Sequence, residues 1–78
     1  MIQKIINDGS YEFQGTLQDF KHCINSFKVT KEICKGNIQG LNLLEVLGEF
    51  KYHGQKHKVH ISKYWGPKDI LYIHYMGC

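Results

Sequence analysis

Seventy-eight residues, 42% of them apolar, with a formal net charge of +3, bound this chain to one domain (residues 1–78) with one modest core. The ten aromatic residues and the apolar fraction exclude disorder, and no apolar run approaches the roughly 18 residues of a membrane span. The opening Met1-Ile2-Gln3-Lys4-Ile5-Ile6-Asn7-Asp8 turns polar too early for a signal peptide, so a soluble, cytoplasmic protein without a membrane partner is expected.

Met1–Ile6 reads as a strand, and Asn7-Asp8-Gly9-Ser10 as the tight turn of a first hairpin whose second strand carries Tyr11 and Phe13. Thr16-x-x-Asp19 is a capping-box pattern opening a helix over about 16–28. Leu17, Phe20, Ile24 and Phe27 repeat at spacings of three and four, one apolar stripe directed at a sheet. Lys28–Lys35 reads as a strand closed by a turn at Gly36-Asn37. Residues 38–47 fit either period, and strand is the reading preferred, with Gly40 or Gly48 marking a bend or bulge.

From Glu49 onward apolar and polar residues alternate, with turn signals at Gly54-Gln55 and at Gly66-Pro67-Lys68-Asp69. A type II′ turn at Gly54-Gln55 would set Phe50 opposite Val59, Lys51 opposite Lys58 and Glu49 opposite His60. Phe50, Val59 and Ile61 would then face the core, and Lys51, His53, Lys58, His60, Ser62 and Tyr64 the other side. In the last strand Leu71, Ile73 and Tyr75 are assigned to the helix side, Tyr72 and His74 to the outer one. The expected fold is α+β: one amphipathic helix packed on an antiparallel sheet of five or six strands, in the order β-β-α-β-(β)-β-β.

The charge is unevenly placed. Residues 1–48 carry five lysines against five acidic residues; residues 49–78 carry five lysines against Glu49 and Asp69 alone, so all the excess lies in the closing strands. Every basic residue is lysine, and alanine is absent too, a composition suited to an AT-rich genome such as that of a low-GC bacterium or its phages. Lysine is a point charge without the planar fork that arginine presents to phosphates and guanine edges. Three cysteines, Cys23, Cys34 and Cys78, form no CxxC and fit reduced thiols, with Cys23 expected to be buried.

No nucleotide-binding, nucleophile-elbow or HExxH motif occurs. His53, His57, His60 and His74 lie close in sequence, but histidines on extended strands diverge, so no metal and no cofactor is expected. The composition points instead to a non-enzymatic binding module, a small phage- or mobile-element-type inhibitor or regulator. It would dock on a host protein, such as a nucleic-acid-processing enzyme, through Lys51, Lys56, Lys58, His60, Tyr64 and Trp65. Nucleic acid bound by the same face is the alternative partner, and a homodimer is compatible with the composition. The second alternative is a small RNA-cleaving enzyme with His60 as general base, oriented by Glu49.

Overall fold

In the computed structural model, which describes residues 1–38, 41–63 and 69–78, two helices lie on one face of a five-stranded antiparallel sheet. The elements are α1 (Ile2–Asp8), β1 (Ser10–Gln14), α2 (Leu17–Cys23), β2 (Lys28–Ile38), β3 (Leu41–Tyr52), β4 (Gln55–Lys63) and β5 (Ile70–Gly77). The strand order is β1-β5-β4-β3-β2, so the first strand reaches the far side of the sheet and pairs with the last. A small single-domain α+β fold is therefore correct, with corrections at several places. The expected Gly40 bend and the Gly66-Pro67-Lys68 part of the second turn lie outside the described residues.

The first correction is the N-terminal segment, which is a helix and not a strand. Ile2, Ile5 and Ile6 stand three and four positions apart, and Ile5 is completely buried against the sheet core. That burial contributes roughly 1.5–3 kcal/mol. Asp8-Gly9 is consequently no hairpin turn. Gly9 adopts φ 77° as the left-handed C-cap of α1, its N–H donating to the Ile5 carbonyl, and its own carbonyl accepts from Tyr75 N–H at 2.9 Å.

The second correction shortens the main helix. Its start is as read: Thr16 Oγ1 accepts from Asp19 N–H, and the Asp19 carboxylate accepts from Thr16 N–H. Its end comes at Cys23, because Ile24 turns to extended backbone. Ser26 then spends its hydroxyl on β3, accepting from Lys51 N–H at 3.0 Å and donating to the Lys51 carbonyl at 3.3 Å. Such a side-chain bond to backbone competes with helical continuation. Ile24 and Phe27 are still buried as the stripe requires, but they reach the core from a turn. Cys23, expected inside, is exposed, as are Cys34 and Cys78.

The sheet side of the core is formed by Phe13, Val46, Phe50, Val59, Ile61, Leu71 and Ile73. β2 does not stop at Gly36-Asn37; it continues to Ile38, paired with Leu41. Register shifts between Val29 and Lys31 and between Glu32 and Cys34 leave Thr30 and Ile33 as extra residues on this edge strand. Gly48 lies opposite the first of these. A Cβ there would stand 2.5 Å from Cζ of Phe27, whose ring covers the strand at that point.

The third correction is the β3–β4 turn. Its central residues are His53 and Gly54, with φ 52° and 78°, both left-handed, as in a type I′ turn. Tyr52 pairs with Gln55, Phe50 with His57, Glu49 with Lys58 and Leu47 with His60. The pairing slides by two residues from the expected one. Because side chains alternate with period two, the slide leaves Phe50, Val59 and Ile61 on the covered side and Lys51, Lys58 and His60 on the other, as expected; His53 moves into the turn, and Tyr64 lies outside the described residues. The phase of β5 is also as read, with Leu71 and Ile73 buried and Tyr72 and His74 exposed.

Two outcomes test these contacts. Gly48→Ala is expected to destabilise the domain by about 1–3 kcal/mol, read as a lower urea midpoint, because the buried Phe27 ring must move. Thr16's backbone N–H, then its hydroxyl, hold the Asp19 carboxyl below its ordinary value of 3.8. A depressed carboxyl pKa stabilises the fold above the unfolded value and ceases to do so as pH falls through the folded one. The stability gap between the natural chain and Asp19→Asn is thus expected to be full at pH 7 and to close in urea titrations below about pH 3.8.

Candidate docking face

Both helices cover one side of the sheet, and no described helix covers the other. The register reads across this open side in rows. Nearest the β3–β4 turn, Lys51 stands directly opposite Lys56. The next row is Lys28, Glu49 and Lys58, on β2, β3 and β4. Then come Lys31, Leu47, His60, His74 and Ser10, and after them Cys34, Glu45, Ser62, Tyr72 and Glu12.

The first two rows gather four lysines around one carboxylate. Lys28, Lys51, Lys56 and Lys58 are all exposed, and Glu49 touches only one of them closely, Lys56 Nζ at 4.0 Å. Four ammonium groups against one carboxylate leave +3 on this corner, equal to the formal net charge of the chain. Like charges directly opposite one another on a ladder destabilise a sheet. The Lys51–Lys56 pair is therefore a feature the fold itself does not need.

The third and fourth rows are of a different character. His60 Nε2 lies 2.9 Å from Glu45 Oε2, both side chains about a quarter exposed, and the rings of His60 and His74 are 6.2 Å apart. The carboxylate beside His60 is thus Glu45, on the diagonal, and not Glu49, which the two-residue slide moves opposite Lys58. Leu47 and Tyr72 supply apolar and aromatic surface, Tyr72 being 43% exposed.

Of the residues expected to bind, Lys51, Lys56, Lys58 and His60 are brought together on this face; Tyr64 and Trp65 lie outside the described residues. Lys28, Lys31, Glu45, Leu47, Tyr72 and His74 join them. Tyr72 and His74 carry the outward parity in the sequence. Lys28 and Lys31 belong to a bulged strand whose alternation is broken, so periodicity does not mark them.

The other histidines separate. His53 is in the turn, its ring against Tyr52. His57 lies on the covered side, 6% exposed, stacked on Phe50, with Nδ1 2.8 Å from the Tyr75 hydroxyl. Burial pushes the Tyr75 phenol above its ordinary value, with Cys78 adding to the effect. Among the described residues no group of three His, Cys, Asp or Glu is disposed to hold a metal ion, and no helix is long and apolar enough to cross a membrane.

No protein-family model matches the chain, and no curated protein or solved structure matches it significantly.

The His57–Tyr75 contact gives a direct test of the covered side. Tyr75→Phe keeps the ring but leaves His57 Nδ1 without its hydroxyl. It is expected to cost about 1–3 kcal/mol in chemical denaturation, the penalty for a polar atom stranded in a core.

Proposed function

We propose that this chain is a non-enzymatic binding module that docks its open sheet face on an acidic surface of a partner protein. The observation that carries the reading is the grouping of Lys28, Lys51, Lys56 and Lys58 around Glu49, with Lys51 and Lys56 in direct opposition. Mutual repulsion of this kind is relieved when an anionic partner covers it. Beside the lysines, Leu47 and Tyr72 offer the apolar and aromatic anchors that concentrate binding energy at protein interfaces. A lysine corner without arginine forks attracts an anionic surface but reads base edges poorly, which favours protein over nucleic acid.

The β2 edge of the sheet is less suited to recruiting a partner. β2 is interrupted by two bulges and carries Lys28, Lys31 and Lys35, features that discourage strand addition. Docking by occupancy through a face fits the role of a small inhibitor or regulator of a host enzyme, of the type that phages and mobile elements encode. The composition, devoid of arginine and alanine, suits that origin.

The test is affinity capture from cells of the source organism, with and without nuclease treatment, with Lys51→Glu/Lys58→Glu as the control bait. A protein retained by the natural chain and lost by the double variant supports the reading. Recovery of RNA or DNA alone, abolished by nuclease, replaces it with nucleic-acid binding. For the captured protein, the double variant is expected to bind at least roughly tenfold more weakly, chiefly through slower, salt-sensitive association. Tyr72→Ala is expected to act on dissociation, at a cost of about 1 kcal/mol or more.

A further inference from the structure

We propose that a cleft at the other end of the domain binds a small amphipathic organic anion, a carboxylate carried on an apolar chain. The cleft measures about 480 Å³ and lies on the helix-covered side, between α2 and the ends of β2, β3 and β4 remote from the lysine corner. That volume falls within the roughly 300–1,000 Å³ of small-molecule sites. Leu17, Leu44 and Leu71 give it apolar lining, and Lys21, Lys35 and Lys63 line it from three different elements. An apolar pocket with a few convergent groups of one charge selects a ligand with a greasy body and a head of the opposite charge.

Lys63 makes the head-group chemistry specific. Its side chain is only 10% exposed, yet its one ion-pair partner among the described residues is Asp69, whose side chain is 58% exposed and whose Oδ1 lies 3.0 Å from Nζ. A buried ammonium requires a partner, since leaving it unpaired is costly. Here that partner is a carboxylate on the solvent side, free to turn outward. An incoming carboxylate can therefore replace Asp69 on Lys63 without stranding the charge. Lys21 and Lys35 have no ion-pair partner among the described residues. Three ammonium groups against one carboxylate give the lining a surplus of two positive charges.

This site is independent of the open face, and one titration separates them. Isotope-labelled protein is titrated with decanoate, with decanol, which has the same chain and no charge, and with inorganic phosphate, which has charge and no chain. Decanoate is expected to saturate at one molecule per chain, shifting the amides of Leu17, Lys21, Lys35 and Lys63 and not those of Lys51 and Lys56. Lys21→Gln/Lys35→Gln, at one half-buried and one exposed lysine, is expected to weaken decanoate roughly fivefold to tenfold, as loss of two charge contacts implies. Asp69→Asn removes the competing carboxylate and is expected to bind decanoate roughly twofold tighter or more. The proposal is overturned by absence of saturable decanoate binding, by equal binding of decanol, or by phosphate alone reproducing the shifts. Shifts at Lys51 and Lys56 instead, unchanged affinity in the double lysine variant, or no tightening in Asp69→Asn overturn it as well.

Discussion

A column of three phenylalanine rings holds the two layers of this domain together. Phe13 from β1 meets Phe20 from α2 edge to face at 5.3 Å, and Phe20 meets Phe27 in the same manner at 5.0 Å. Such T-shaped contacts add to the burial of each ring. The column ends on Gly48, where a missing side chain lets the last ring cover β3. It therefore runs from the strand at one edge of the sheet, through the helix, to a strand beside the opposite edge. The covered face is completed around it, and among the described residues no helix lies on the other face. A helix of seven residues is too short to persist alone and depends on this packing.

Much of the arrangement was legible before any coordinates, and its failures have local causes. The stripe of Leu17, Phe20, Ile24 and Phe27 located the packed face, because burial at a 3.6-residue period leaves a clear trace. The same stripe overstated the helix, since a residue can reach the core from a turn as well as from a helical position. Ile2, Ile5 and Ile6 are too few to distinguish helix from strand, and Asp8-Gly9 serves equally as a hairpin turn or a helix stop. The choice is settled by the pocket that receives Ile5, which is tertiary. At the β3–β4 turn Gly54 satisfies either turn type. The outcome rests on His53 accepting a positive φ, which a non-glycine residue does infrequently.

The candidate face was legible in part for a related reason. Lys51, Lys58 and His60 announce themselves because alternation within one strand is a local property. Which charges become neighbours depends on register, and register on turn geometry and bulges. Glu45 could be matched to His60 only once the pairing was known. Lys28 could be placed beside Glu49 only once Thr30 and Ile33 were known to bulge. Partner side chains across strands are thus the least readable part of the site and the part that decides its electrostatics.

The tight turn at His53-Gly54 carries a consequence for how this sequence can change over generations. The difference between two turn types moved every pairing in the hairpin by two residues and exchanged nothing between the faces. Insertions or deletions of two residues near the tip are therefore tolerable events that lengthen or trim the hairpin while keeping greasy and charged surfaces apart. A single-residue indel that neither a bulge, like those at Thr30 and Ile33, nor a longer loop absorbs inverts the strand and drives Lys58 and His60 toward the phenylalanines. The pleat of the sheet, and not any ligand, thus sets which changes in hairpin length leave the two surfaces intact.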